Sequence, residues 1–515
     1  MGEQSPMRTV ACDTMSGLRV LFRIAASDQR KLERLVFQRH PGREWGTFFT
    51  FGFRRTHWGW ALSYVDALPP GPGDLDRNSG VVQFRTQYIS RAMRQLEDSS
   101  LGVGVTHSHP QGVGTFPSAS DDDMDLYFGT DLFRGPGKGR PYCSLILNRT
   151  ADGRLEFSGR VHAEGSWLTV RNLIIPGDCL ERIESATMDD ETTVSEPIHE
   201  SVTARLESLI GEASKKRLEQ AVVGVIGCSG TGSPAIEMLA RAGVGELILV
   251  DPQRLSPSNL ERVHGSKWNH VHSDKPPYKV ECLTDLISEI NPHCHVTAIV
   301  GNILHEQVQN ELLRCDLLLG CSDSYHARAA LGDLASFYLL PTLDAGVLMD
   351  GKHGQVALQT VELLKLSPDL PCPFCQQRID PVALDEELIT EEEKQRRQQA
   401  AHDALKRGDA PDNYWHGTPR QLHTVGYLTT TVGAMLSGYA IGWLTGAFRM
   451  PYDRFQFDIG KPNFAMTDAT APRRADCVCA KLKGHSHQAK ADRSVTLPKH
   501  WSPPIFLSTM RALKA

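Results

Sequence analysis

The spacing of apolar positions changes repeatedly along the first third of the chain. Gln29–Gln38 has the spacing of an amphipathic helix, and Phe84–Leu96 repeats it. Gly46–Phe53 and Trp58–Val65 read as strands on either side of a polar turn at Arg54–His57. Leu101–Thr106 is a short apolar run that feeds directly into His107, and Tyr142–Leu147 and Leu155–Val161 form a later strand pair across the turn signal Asn148–Gly153. This alternation predicts a mixed α/β domain over residues 1–170.

The pattern then breaks. Asp189–Glu200 is acidic and polar, and 171–203 is expected as a linker. From Ala204 a helical stretch leads into an apolar strand, Ala221–Ile226. Further strands at Glu246–Val250, His295–Val300 and Leu317–Leu319 alternate with helical segments. That order predicts a Rossmann-like, doubly wound, mostly parallel sheet over 204–482. Glu386–Arg407 is densely charged and reads as a solvated helix in a long excursion. Val425–Phe448 is apolar but carries Thr429, Thr430, Thr431, Ser437 and Thr445, so a buried helix is expected rather than a membrane span. Residues 483–515 read as a basic, Pro-containing tail.

Composition narrows the class. A chain of 515 residues exceeds one ordinary core, and 40% hydrophobic with 23% charged residues is the balance of a soluble globular protein. A formal charge of −6 argues against a nucleic-acid partner. The first residues show no secretory pattern, and Pro6 departs from the myristoylation pattern that begins at Gly2. Of 12 cysteines only two pairs cluster, Cys372/Cys375 and Cys477/Cys479, which suits a reducing cytoplasm and one metal site rather than a disulfide framework.

Two chemical constellations stand out. In the first, His107 and His109 lie two apart at a strand end, so both side chains point to one face. Ser118 and Ser120 are good caps for a helix that would carry Asp121. Two imidazoles and one carboxylate leave the fourth position of a tetrahedral zinc open for a water, whose pKa falls from about 15.7 to about 7. Glu44, at the start of an earlier strand-like segment, is the candidate general base, and Ser118 is a candidate donor to a tetrahedral oxyanion.

His107-Ser-His109-Pro110 followed by Ser118-x-x-Asp121 resembles the JAB/MPN (JAMM) metalloprotease family over roughly the first third of the chain. The resemblance implies a zinc peptidase or isopeptidase. His107, His109 and Asp121 would bind the metal, Ser118 would support the oxyanion, and Glu44 would serve the bound water. Residues 110–117 separate His109 from Ser118, one more than the family spacing. Ser120 with Asp123 is therefore a rival register, and Asp122 a further rival ligand.

In the second constellation, Gly227, Gly230 and Gly232 join an apolar strand to the helix Ser233–Ala242, with Asp251 at the end of the next strand. Glycines admit phosphate close to the backbone, the helix N-terminus supplies N–H groups, and an acidic residue at that spacing suits a ribose hydroxyl. Asn259 and Arg262 follow, then Lys279, then Asp323 after an apolar strand, with Arg328 beyond it. Arg262 and Lys279 would place positive charge on a triphosphate, and Asp323 is the natural Mg²⁺ ligand.

GCSGTGSPAIEMLARAGVGELILVD followed by SNLER is similar to the ThiF/MoeB and ubiquitin-activating-enzyme family, from about Ala204 to Lys481. The resemblance implies that a small protein's C-terminal carboxylate attacks the α-phosphate of ATP to give an acyl-adenylate, in a homodimeric enzyme. Many members carry paired cysteines where Cys372, Cys375, Cys477 and Cys479 stand, which implies a structural zinc; here the second pair is Cys-x-Cys. No cysteine lies between Cys375 and Cys477, where thioester-forming members usually hold theirs.

The combined expectation is a bacterial-type, cytoplasmic, bifunctional enzyme. It would adenylate a ubiquitin-like protein with Mg-ATP and hydrolyse peptide or isopeptide bonds at that modifier's C-terminus. A separate conjugating enzyme is a further partner if lysine-linked conjugates form. The alternative is a sulfur-carrier activator on a thiocarboxylate pathway. A nicotinamide-dependent oxidoreductase and a non-catalytic scaffold are the competing classes, and no nucleic-acid or membrane partner is expected.

Overall fold

The computed structural model describes residues 10, 12, 17–76, 82–98, 100–132, 139–186, 203–352, 354–406, 424–461 and 471–507. The expected linker stretch Asp189–Glu200 lies outside them. The chain divides into two compact units. One takes in Met1–Pro197 with Ser336–Leu339 and Lys481–Asp492. The other takes in Ile198–Ala335, Leu340–Ala480 and Arg493–Ala515.

The described strands of the first unit are β1 (Arg19–Arg23), β2 (Trp45–Thr56), β3 (Gly59–Leu68), β4 (Gly102–Ser108), β5 (Tyr142–Arg149), β6 (Leu155–Ala163), β7 (Ser166–Thr169), β8 (Asn172–Pro176) and β9 (Leu180–Glu184). They make one mixed sheet in the order β7-β6-β5-β4-β2-β3-β1-β8-β9. Alternation along β2 explains why this sheet is buried on both faces. Phe49 and Phe51 enter a core with Phe22, Leu32, Val36 and Leu62. Phe48 points the other way, into a core with Tyr88, Val103, Val105 and Phe128. The helix Ala26–Val36 covers the first face through Leu32 and Val36. Tyr88, from the helix Thr86–Asp98, packs on the second. All residues of β4 are buried, so the strand that delivers His107 is held from both sides.

Two boundaries differ from the sequence reading. Part of the expected linker over 171–203 is sheet: β8 pairs in parallel with β1, Leu21 opposite Asn172, and β9 pairs with β8. These runs are too short for periodicity to mark them, and the partner that makes β8 a strand lies about 150 residues earlier. The basic tail is not uniformly irregular either. Lys481–Asp492 belongs to the first unit. There Gln488 Oε1 accepts from the Phe53 N–H at 3.0 Å, and Lys483 pairs with Asp28. Gly484 passes so close to β3 that a Cβ would stand 2.1 Å from the Tyr64 carbonyl oxygen. Contacts between a side chain and a backbone group leave no hydrophobic pattern to read.

The described strands of the second unit are β10 (Val222–Ile226), β11 (Glu246–Val250), β12 (His295–Val300), β13 (Leu317–Gly320), β14 (Thr342–Lys352), β15 (Gln355–Leu366), β16 (Arg454–Asp458) and β17 (Ile505–Leu507). Their order is β16-β15-β14-β13-β10-β11-β12-β17. β10 to β14 run parallel, and β15, β16 and β17 are antiparallel additions. Strand order reverses between β10 and β13, and a parallel sheet opens its ligand crevice beyond the carboxyl ends at such a reversal. The apolar stretch near residue 430 forms the helix Gly426–Thr445, packed so tightly on the helix Gly232–Arg241 that a Cβ at Gly433 would stand 2.5 Å from Pro234. Among the described residues no helix is long and apolar enough to cross a membrane.

Candidate functional site

β4 ends at the first cluster. His107 and His109 are 1% and 2% exposed, and Asp121, from the helix Ala119–Leu126, is 7% exposed. His107 Nε2 lies 3.1 Å from Asp121 Oδ1, and His109 Nε2 lies 3.6 Å from Asp121 Oδ2. A tetrahedral zinc with bonds of about 2.0–2.1 Å has ligand–ligand edges of about 3.3 Å, so the spacing fits such an ion. Among the described residues, both nitrogens of His107 and Nε2 of His109 are buried without an aligned hydrogen-bond partner. Each ring can give one nitrogen to an ion shared with Asp121, and the Nε2 atoms are the ones that face it. His109 Nδ1 lies 3.0 Å from the Gly114 carbonyl, which fixes the proton on Nδ1 and turns the Nε2 lone pair toward Asp121. Asn148 Nδ2 donates to the same carbonyl at 3.2 Å.

Ser118 caps the helix that carries Asp121. Its N–H and its hydroxyl donate to Asp121 Oδ2 at 2.7 and 2.6 Å. The hydroxyl expected to face an oxyanion is therefore engaged with the carboxylate. Burial raises the Asp121 carboxyl, but His107, His109 and Ser118 beside it hold it well below the usual carboxylate range. Of the rival aspartates, Asp122 is ion-paired with Arg160 at 2.6 Å, and Asp123 is exposed. Glu44 stands with His107 and Asp121 on a cleft of about 370 Å³, and its Oε2 accepts from the Val82 N–H at 2.9 Å.

The second cluster surrounds the strand-order reversal. Gly227 has φ +95°, and a Cβ there would stand 2.8 Å from the Cys321 carbonyl carbon; at Gly232 a Cβ would stand 1.9 Å from the Gly227 carbonyl oxygen. The turn is thus pressed against the end of β13, the strand that leads to Asp323, and it opens the helix Gly232–Arg241. A Cβ at Gly230 would stand 3.0 Å from Arg262 Cδ, which places that arginine on the turn. Asp251 is buried and accepts from the Cys228 and Gln253 N–H groups at 2.8 Å. Desolvation raises its carboxyl, Lys279 opposes the shift, and Asp323 adds to it, so all three share one electrostatic environment. Lys279 is 4% exposed and donates to Gln253 Oε1 at 2.6 Å. Asn259 is buried, with Oδ1 accepting from the Ser256 N–H, and Asp323 is exposed. Arg328 donates to Asp344 at 2.6 Å. A buried cation, a second cation on the glycine turn and an accessible carboxylate fit a nucleotide triphosphate with its magnesium.

The third cluster gathers Cys372, Cys375, Cys477 and Cys479. Cys372 and Cys477 sulfurs are 3.7 Å apart, as are those of Cys375 and Cys479. A disulfide is about 2.05 Å; a tetrahedron with metal–sulfur bonds of about 2.3 Å has edges of about 3.8 Å. The Arg474 N–H points at Cys375 Sγ, 3.5 Å away. Four thiols at that spacing fit a closed zinc site. The Cys-x-Cys second pair reaches the site with Cys479 in the short helix Val478–Lys481.

Sequence reading did not find Arg160, Gly114 or Asn148. Asn148 reads as part of a turn, and the Gly114 carbonyl is a backbone atom without a sequence signature. The one signal for Arg160 was a charged residue in a strand that is otherwise mostly apolar or small, LEFSGRVHA.

A parallel sheet with a glycine turn and clustered charges at its reversal defines a nucleotide-binding α/β class. Residues 203–479 match the model of the ThiF family, more than half of the chain, and the protein belongs to that family. The SAMP-activating enzyme E1 of Haloferax volcanii is 29% identical over 166 residues, 32% of this chain and 57% of that protein. The molybdopterin-synthase adenylyltransferase of Salmonella typhimurium is 29% identical over 167 residues, 32% of this chain and 62% of that protein. The matches thus span less than two thirds of either relative. Among solved structures, E. coli MccB with MccA has a TM-score of 0.41 at 16% identity, covering 55% of this chain and 75% of that one.

Proposed function

We propose that the second unit adenylates the C-terminal carboxylate of a small ubiquitin-like or sulfur-carrier protein. The observation that carries this reading is the buried Lys279, tied through Gln253 to Asp251, beside a glycine turn that holds Arg262. A carboxylate oxygen attacks the α-phosphorus of ATP and pyrophosphate leaves. Lys279 and Arg262 place positive charge where negative charge accumulates, and N–H groups at the N-terminus of Gly232–Arg241 do the same without reorganising. Magnesium, held by Asp323, would neutralise phosphate oxygens. The family membership and the two relatives' names, an activating enzyme and an adenylyltransferase, support an adenylation step.

The first unit, in this proposal, is a JAB/MPN-like zinc hydrolase for peptide or isopeptide bonds at the same C-terminus. The buried His107 and His109 Nε2 atoms, gathered on Asp121 at ligand spacing, support it. When bound, zinc supplies a Lewis acid and an acidified water. Glu44 takes and returns a proton from its place on the cleft, and Gly114 holds His109 in the required tautomer. Ser118 keeps Asp121 oriented, in place of the oxyanion role expected from sequence.

A second reading of the adenylation step, activation of a sulfur carrier, is favoured by likeness to the molybdopterin-synthase adenylyltransferase and to the adenylyltransferase and sulfurtransferase UBA4 of Kluyveromyces lactis, 29% identical over 195 residues. ATP–pyrophosphate exchange with candidate small proteins ending in Gly-Gly tests the whole proposal. Wild type should exchange, and Lys279→Ala should lose about 10²–10³-fold. Bound ATP without exchange for any such protein would sink the adenylation reading. Thiocarboxylate on the small protein would select the sulfur-carrier branch.

A further inference from the structure

The helix Ala119–Leu126 buries three carboxylates, Asp121, Asp122 and Asp125, within about one turn and a half. Only one of them faces the histidines. The other two are taken by Arg160 of β6: Nη1 donates to Asp122 Oδ1 and Nε to Asp125 Oδ2, both at 2.6 Å. Asp125 also accepts from the Tyr142 hydroxyl at 2.7 Å, and the guanidinium lies 5.5 Å from the Trp167 ring centroid. Arg160 itself is 6% exposed. A guanidinium presents donors in a rigid fork, so one side chain can hold two carboxylates at fixed separation; an ammonium cannot.

Three uncompensated carboxylates at that spacing would repel one another and compete for a divalent cation. We propose that Arg160 is a positioning residue for the metal triad: by holding Asp122 and Asp125, it fixes the helix and leaves Asp121 as the one buried carboxylate of that helix facing His107 and His109. The inference rests on the zinc reading of that triad.

The test measures zinc affinity of the full chain by competition with a chromophoric chelator, and the visible spectrum of the cobalt-substituted protein. Arg160→Lys keeps the charge and loses the fork. It should weaken zinc binding at the triad by about 10–100-fold and change the cobalt spectrum. Asp122→Asn should weaken it less and leave the spectrum unchanged, because Asp122 is not a ligand. A folded Arg160→Lys protein with wild-type affinity and spectrum overturns the proposal. If Arg160→Lys does not fold, Asp125→Asn decides: it removes the charge that Arg160 Nε holds, and a several-fold loss of affinity is expected. Wild-type affinity in Asp125→Asn then overturns the proposal. Failure of the zinc reading looks different: wild type would hold one zinc per chain, and His107→Ala with His109→Ala would leave that number unchanged.

Discussion

The two ligand clusters are both largely buried, yet they differ in number and surroundings. The cysteine cluster supplies four sulfurs at tetrahedral edges and leaves no position for anything else. The histidine cluster supplies three ligands, two of whose residues line a cleft shared with Glu44. A closed set can only hold the chain together; an open set beside a cleft can meet a substrate. The neighbours repeat the contrast. A backbone N–H points at the thiols, whereas Gly114, Asn148, Ser118 and the Arg160 pairs hold the triad in one orientation.

Removing ligands should break the contrast most visibly. Cys372→Ser with Cys479→Ser should abolish cooperative melting of the second unit and remove one zinc per chain, since structural zinc contributes about 10–16 kcal/mol of apparent binding free energy in small domains. A variant that melts normally with one zinc fewer would show that the cluster is not structural. His107→Ala should instead leave melting of the metal-free protein nearly intact, remove the other zinc and lower peptide hydrolysis at least about 10³-fold. Collapse of the fold in that variant would erase the distinction between the sites. Glu44→Gln sharpens the contrast without touching a ligand: hydrolysis should fall about 10²–10⁴-fold while two zincs remain. Unchanged hydrolysis would remove Glu44 from the chemistry.

The smallest effect is one of slope. A hydrogen bond from the Cys372 thiol to Cys479, together with burial, pushes that thiol up, and burial raises Cys477. Metal binding there must displace up to about four protons, so affinity falls steeply as pH drops. Asp121 is held low and stays ionised across the neutral range. At the triad only imidazole protons compete. Against desolvation, which lowers it, Asp121 and the Gly114 carbonyl raise His109. Lowering pH therefore weakens both sites, with a slope at the triad of at most about two protons. Titrating zinc affinity between about pH 8 and pH 6 checks this, and equal slopes would contradict it.

Much of this contrast is legible in the sequence. His-x-His at a strand end, Ser-x-x-Asp at a helix start, a glycine turn after a strand and paired cysteines are local patterns, and each follows from how a strand alternates, how a helix is capped or where a backbone bends. Asp121 is preferred over Asp122 and Asp123 by the Ser118-x-x-Asp121 spacing alone; the physical reason for that choice is not legible. All three sit in one polar run; Arg160, delivered by a strand nearly 40 residues later, takes Asp122, and Asp123 is exposed. The same holds for the sheet's edge: Asn172–Pro176 becomes a strand only because β1 is there to pair with it.

The sequence by itself determined the order of elements, the parallel α/β sheet of the second unit and which residues could hold metal or nucleotide, because these depend on spacing along the chain. The tertiary structure alone decided what takes the rival Asp122, where the Ser118 hydroxyl points and which unit takes Lys481–Asp492. Those outcomes turn on partners distant in sequence, and a buried charge or hydroxyl is committed by whichever partner satisfies it inside the fold.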